Sequence, residues 1–337
     1  MFVGWRERGV YAGPFCNGQT GCEGSPTPDV TRAIAAKCLL RALRSHDDGF
    51  VMTTAFVLSG GGNQGVAQVG MLRALVERGV VPDVVIGCSA GALNGAGVAA
   101  SPTLAGVARL ANTWLSLTAA DVFPGGRVSR AWNVVRRGSH LFTNEGLAAV
   151  IDRSSAAKTF EDLVVPLRVV ATDLDTGEEV VIARGPLKPA LLASAALPGV
   201  FPIVHHAGRR LVDGGVVDTV PLGHALASPV DHVYVLNVSG VSVGRVQRSP
   251  LDVVMTSFLH ARNQRFELEL RNLPPGVRVT VLPRPHDGRD LLDFSGGEQL
   301  IDAAYELALH ALDAAEATSA AMVPRRTHRL RRRRQVA

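Results

Sequence analysis

Residues 53–100 read TTAFVLSGGGNQGVAQVGMLRALVERGVVPDVVIGCSAGALNGAGVAA, and the succession of patterns inside this stretch decides the fold. Residues 54–58 form a short apolar run rich in strand-forming side chains, and it stops at the glycine loop Gly60-Gly61-Gly62. From about residue 65 to residue 78, Val66, Val69, Leu72, Leu75 and Val76 recur at helical spacing. Residues 83–86 (DVVI) predict a second short strand, which a tight turn joins to a small-residue helix over residues 90–100. Parallel neighbours in a sheet need a crossover, usually helical, so strand–helix–strand–helix with buried-looking strands predicts a parallel sheet.

The alternation continues outward. Strands are expected at residues 167–172, 179–183, 210–213 and 232–238, and helices at 104–117, 144–152, 189–196 and 298–315. The fold class is therefore α/β, a mainly parallel central sheet with helices on both faces, in which ligands sit beyond the carboxyl ends of the strands. Residues 1–52 mix Gly, Pro, Cys and charges without a steady period, apart from a helical patch at 31–44, and are expected to be a poorly ordered extension. Met52 stands directly before the first strand and is a plausible alternative start. The expected division is this extension, one α/β unit over 53–320 and a tail over 321–337. Residues 241–296 carry no readable motif and could form part of a lid or acyl pocket.

Composition narrows the function classes. The chain has 337 residues, 47% apolar and 19% charged, which excludes fibrous and globally disordered proteins. A net charge of +5 and a pI near 9.4 suggest a polyanion-binding protein. Position removes that suggestion. Residues 325–334 (RRTHRLRRRR), from Arg325 to Arg334, hold seven arginines, which leaves 28 basic against 30 acidic groups in residues 1–324. No nucleic-acid partner is expected of the body. Cys16, Cys22, Cys38 and Cys88 do not make a disulfide framework, and Cys16 with Cys22 lacks the second pair of ligands a zinc site needs. The N-terminus has no apolar run of signal-peptide length, and residues 80–100 include Asp83, Asn94 and several glycines, unlike a membrane span. A cytoplasmic protein follows, with peripheral membrane contact through the arginines.

Three motifs carry chemistry. Gly60-Gly61-Gly62-Asn63-Gln64-Gly65 matches the dinucleotide fingerprint GxGxxG, but the acid that should end the next strand is missing: Asp83 precedes it. Gly87-Cys88-Ser89-Ala90-Gly91 is the GxSxG nucleophile elbow, again between strand and helix, where small neighbours permit a sharp turn that presents a serine hydroxyl. Acyl transfer also needs oxyanion donors and a base. Freely oriented amides of the glycine loop can serve as donors. For the base, His205 and His206 fall in an expected turn, His232 opens a strand, and His260 and His310 lie on helix-like segments, none in a convincing setting. Asp213 ends a strand, and Gly214 and Gly215 let the chain turn so that its carboxylate faces the crevice.

Taken in order, the glycine loop, GxSxG and Asp-Gly-Gly resemble the patatin-like phospholipase family. The resemblance extends to residues 193–202 (ASAALPGVFP) and 170–178 (VATDLDTGE), and covers roughly residues 54–240. It implies a three-layer fold of that family and a lipid acyl hydrolase with a Ser–Asp dyad, no histidine and no cofactor or metal. By that carry-over Ser89 is the nucleophile and Asp213 the proton acceptor, with the amides around Gly60, Gly61 and Gly62 forming the oxyanion hole. Gln64, Gly65, Gly87, Gly91, Gly214 and Gly215 complete the motifs. The family commonly has Arg or Lys where Gln64 stands, so the charge that would attract a phosphate head group is absent there. A phospholipid, lysophospholipid, simpler lipid ester or acyl thioester stays open, as does the oligomeric state.

The alternative reading is a non-catalytic binding or regulatory protein on a hydrolase scaffold, its tail contacting anionic lipid or nucleic acid. It has no need of the serine, the aspartate and the glycine loop together. An ordinary Ser-His-Asp esterase would instead need one of the histidines. The tail itself is either a solvated end or an electrostatic anchor, the latter worth about 1 kcal/mol per basic residue near an anionic surface. Deleting residues 325–337 is expected to lower binding to anionic vesicles at low salt, measured by co-sedimentation, without changing hydrolysis of soluble esters. Equal vesicle binding by both forms would discard the anchor.

Overall fold

β1 (Thr54–Leu58) lies in the middle of an eight-stranded sheet and pairs in parallel with β2 (Val84–Cys88) on one side and β7 (His232–Leu236) on the other. The computed structural model describes residues 53–124, 140–240, 250–285 and 293–322. Beyond β2 comes β3 (Leu167–Asp173), and beyond β7 comes β8 (Arg278–Leu282), so five neighbouring strands run parallel. The margin on the β3 side is antiparallel: β4 (Glu179–Ile182) and β6 (Arg209–Asp213) pair with β3, and β5 (Val204–His206) pairs with β6.

Alternation along the strands divides the core in two. Phe56, Leu58, Val85, Val169 and Ala171 face one cluster, while Ala55, Val57, Ile86, Cys88 and Val170 face the other. On the first face lie α1 (Gly65–Glu77), α2 (Ala90–Ala100), α3 (Leu104–Ser116), the short α4 (Ala119–Val122), α5 (Glu145–Ser154), α6 (Leu187–Ser194) and α9 (Gly297–Met322), contributing among others Leu72, Leu110, Val122, Ile151, Leu191 and Ile301. On the second face lie α7 (Leu222–Leu226) and α8 (Pro250–Arg271), contributing Leu222, Ala225 and Phe266. Burial on both faces is why the parallel strands read as continuous apolar runs. The α/β class with helices on both faces is thus the observed architecture.

One detail of the topology positions the site. β4 pairs with residues 169–172 of β3 and so occupies one of its two edges. The other edge is shared. β2 runs along it in parallel until Cys88 stands opposite Val170, and β6 arrives antiparallel until Asp213 stands opposite Ala171. The C-terminal ends of β2 and β6 therefore meet head to head, and whatever follows Cys88 is brought against Asp213.

Several sequence expectations are corrected. Residues 205 and 206 were expected in a turn, but they belong to β5, where His205 and His206 pair with Arg210 and Arg209. β2 extends to Cys88 rather than ending at Ile86, and α9 runs to Met322, two residues into the segment assigned to the tail. The region 241–296, which offered no motif, supplies α8 and β8. Over residues 260–271 of α8 the side chains are exposed or half-buried apart from the buried Phe266, so this half shows no broad apolar stripe. The extension 1–52, with its helical patch, Met52, Cys16, Cys22 and Cys38, lies outside the described residues, as does the arginine-rich segment. No helix among the described residues is long and apolar enough to cross a membrane.

Candidate active site

Ser89 occupies the turn between β2 and α2, with φ 53° and ψ −124°. A left-handed φ at a serine costs roughly 1–3 kcal/mol and persists only where its surroundings enforce it. Three contacts do so. The Ser89 amide donates to Ser194 Oγ at 2.8 Å, and Ser194 Oγ in turn donates to the Val170 carbonyl at 2.6 Å. The Ser89 carbonyl accepts from the amides of Ala92 and Leu93. Finally, α2 begins so close to β1 that a methyl on Gly91 would lie 2.3 Å from the Leu58 carbonyl oxygen and 2.5 Å from that of Ser59. Gly91 therefore tolerates no side chain, which is the local reason for the last glycine of GxSxG. Gly87 sits inside β2, opposite Val169.

Ser89 Oγ donates a 2.6 Å hydrogen bond to Asp213 Oδ2. The other carboxylate oxygen accepts from the Gly215 amide at 2.7 Å, where the 3-10 turn Gly214–Val216 begins. Asp213 is buried, and burial pushes its carboxyl above the usual range, although the Ser89 bond, the Arg262 charge and the Gly215 bond each pull it back. Cys88, immediately before the serine, is also buried. Burial and the nearby Asp213 charge drive its thiol well above its ordinary value, so it stays protonated and is no rival nucleophile. The head-to-head strand ends thus set a half-exposed hydroxyl against a buried carboxylate.

The glycine loop faces the same turn. A methyl on Gly60 would come 3.2 Å from Ser89 Cβ. Its amide, however, donates to the Thr219 carbonyl at 2.9 Å. The expectation that Gly60 supplies an oxyanion donor is corrected on that ground. Among the described residues nothing accepts from the amides of Gly61 and Gly62, while the Gly61 carbonyl accepts from the Gln64 amide that closes the turn. Gly65 opens α1.

Behind the loop runs a buried polar chain that the sequence did not reveal. Ser59 Oγ accepts from the Val238 amide, and Gln68 Nε2 donates to the carbonyls of Ser59 and Leu236, both at 2.9 Å. Asn94 Nδ2 donates to Gln68 Oε1 and to the Gly65 carbonyl, and Trp114 Nε1 donates to Asn94 Oδ1 at 2.7 Å. This satisfied network ties β1, β7, α1, α2 and α3 together around the loop, and such networks rigidify what they surround. Asn63 adds a bond to the Asp293 carbonyl, which brings the otherwise unreadable 241–296 region onto the site. Polar residues at positions 68 and 94 of otherwise apolar helices were the available signal.

Among the described residues no histidine hydrogen-bonds to Ser89 or Asp213. His232 bonds Thr280 Oγ1 and stacks on Tyr234, while His260 and His310 are exposed. The described residues do hold one cluster of metal-ligating types: Glu179, Asp218 and His224, with ligand atoms within 4.8 Å of one another. Its centre is taken by the Arg265 guanidinium, bonded to Glu179 and 3.6 Å from Asp218 Oδ2, so a cation already balances it. Burial and the Glu269 charge push the Asp218 carboxyl up to about 7. Arg265 at 3.6 Å does not offset that burial.

With this geometry described, relatives can be placed. The family model described as "Patatin-like phospholipase" matches residues 56–226. An uncharacterised NTE-family protein of Mycobacterium tuberculosis is 32% identical over 190 residues, covering 56% of this chain and 50% of its own. The rat patatin-like phospholipase domain-containing protein 7 is 31% identical over 169 residues, covering 50% of this chain and 12% of its own. This chain thus spans about half the length of the first of these relatives, and far less of the second. Among solved structures, human GIVD cytosolic phospholipase A2 aligns over 86% of this chain and 63% of its own, at 12% identity and a TM-score of 0.46. The chain belongs to the patatin-like phospholipase family.

Ser194 is the buried residue on which the strained turn depends. Ser194→Ala leaves the Ser89 amide without its acceptor and the Val170 carbonyl without its donor, a loss of about 1–3 kcal/mol. Urea denaturation is expected to register that loss, and ester turnover to fall through kcat more than KM. A variant with wild-type stability and turnover would mean that Ser89 does not need this support.

Proposed function

We propose that this family member is a lipid acyl hydrolase in which Ser89 and Asp213 act as a catalytic dyad. The observation that carries the reading is the 2.6 Å bond from a serine hydroxyl on a strained elbow to a buried carboxylate. Asp213 takes the Ser89 proton as Oγ attacks the ester carbonyl, and the uncommitted amides of Gly61 and Gly62 receive the developing oxyanion. Each such donor is worth about 10² to 10³ in turnover. Collapse of the tetrahedral intermediate breaks the ester C–O bond, and protonated Asp213 returns its proton to the departing alkoxide. A water then attacks the acyl-enzyme, giving its proton to Asp213. The second tetrahedral intermediate collapses with cleavage of the acyl C–Oγ bond, and Asp213 returns that proton to Ser89 Oγ as the fatty acid leaves.

Asp213 suits this role because of its surroundings. A carboxylate of ordinary pKa, roughly 3.9, is a weak base toward a serine hydroxyl. Burial strengthens it, and the same burial strengthens the oxyanion contacts. The neutral Gln64 offers no charge to a phosphate, which weakens phospholipid specificity more than ester hydrolysis and leaves simpler lipid esters, lysophospholipids and acyl thioesters open. Docking on an anionic membrane through the arginines of residues 325–334 belongs to the same proposal, since the substrate of such an enzyme lies in a lipid phase.

Ser89→Ala and Asp213→Asn are each expected to abolish hydrolysis of a p-nitrophenyl acyl ester while circular dichroism stays native, and EDTA to leave the wild-type rate unchanged. Asp213 must be ionised to accept the proton, so kcat/KM should fall as pH drops through its folded value, with the midpoint above about 4. Substantial activity in either variant, or a calcium requirement, would remove the dyad mechanism.

A further inference from the structure

α8 delivers a charged residue to the dyad that no motif announced. Arg262 lies three positions before Arg265, so the two side chains share one side of the helix. That side is fastened on several contacts. Arg265 bonds Glu179 of β4 and Glu269 of its own helix, while Glu269 Oε2 accepts from the Gly223 amide at 3.0 Å. Asn263 Nδ2 donates to the Ser239 carbonyl at 3.3 Å, and Phe266 is buried in the core of the second sheet face. With the helix so held, Arg262 reaches over the Asp-Gly-Gly turn. A methyl built on Gly215 would stand 2.8 Å from Arg262 Nη1 and 2.9 Å from Asp213 Oδ1. Guanidinium and carboxylate therefore converge above Gly215 and lie within about 6 Å of one another, the range over which an opposite charge favours an ionised partner. A side chain at position 215 would therefore displace the Arg262 guanidinium or the Asp213 carboxylate.

Among the described residues, the charges around Asp213 come from three elements. β2 and its elbow offer Cys88, protonated, and Ser89, the hydrogen-bond donor. The segment after Asp213 offers Asp218, itself pushed toward neutrality and matched with Arg265, Glu269, Glu179 and His224. α8 offers Arg262, the charge that opposes the burial of Asp213. Resting on the Ser89–Asp213 reading, we propose that Arg262 is a positioning residue of the dyad, its guanidinium holding the buried Asp213 in the charged form that accepts the serine proton. It acts through Asp213 and touches no reacting atom.

The test is a pH profile of kcat/KM for p-nitrophenyl ester hydrolysis in wild type, Arg262→Gln and Arg262→Lys. In the Gln variant the acid limb should move up by about one unit or more, a loss of about tenfold or more at pH values well below the wild-type midpoint that disappears well above it. Lys, which keeps the charge, should restore most of the loss. A Gln variant whose limb coincides with wild type would overturn the proposal, as would a uniform loss at all pH values. Should Gln and the near-isosteric Met both fail to fold by circular dichroism, the proposal also falls, because Arg262 would then be holding the fold. Ser89→Ala run in parallel keeps the two readings apart. If that variant retains the activity, the dyad itself is wrong, whatever the Arg262 profiles are.

Discussion

A β-strand has two edges, and on β3 one of them is shared by two strands arriving from opposite directions. β2 comes up in parallel and stops opposite Val170, while β6 comes down antiparallel and stops opposite Ala171. Pairing with consecutive β3 residues thereby fixes two strand ends, Cys88 and Asp213, that are 125 positions apart in sequence. Everything else at the site elaborates this meeting. The elbow after β2 lifts Ser89 out of the sheet, and the turn after β6 aims both oxygens of Asp213 inward. Ser194 joins the two through the Val170 carbonyl on the shared partner strand.

Opposing electrostatic demands are balanced at Asp213. Burial makes it a stronger base but disfavours the charge it must carry. Hydrogen bonds from Ser89 and Gly215, with the Arg262 charge, recover part of that cost. The glycine loop is treated the opposite way. Its backbone is held from behind by Gln68, which donates to the carbonyls of Ser59 and Leu236, and by Asn94, which donates to that of Gly65 and is itself fixed by Trp114. The Gly61 and Gly62 amides stay available for an incoming anion. Rigid support with uncommitted donors is the arrangement electrostatic stabilisation requires, because the donors then need no rearrangement as charge develops.

Six of the eight strands, the longer first-face helices, Ser89, Asp213 and the glycine loop are legible because each leaves a local trace: an apolar run, a 3.6-residue period, or glycines beside a polar residue. What escaped is non-local. Arg262 comes near Asp213 only after α8 packs on the second face of the sheet. The withdrawal of Gly60 from the oxyanion donors depends on Thr219, which no spacing rule connects to it. Ser194 lay inside the ASAALPG segment but gave no hint that its hydroxyl would hold the serine elbow. β5 was mistaken for a turn because its three residues carry two histidines and little apolar character.

The account stands on the claim that Ser89 is a nucleophile activated by Asp213. Its most direct test is mass spectrometry of the protein after treatment with a fluorophosphonate, a reagent that reacts with activated serines. The account predicts a single adduct on the peptide containing Ser89, formed at a much lower rate in Asp213→Asn. Labelling at another serine, an unlabelled wild-type protein, or an Asp213→Asn variant labelled as fast as wild type would contradict it.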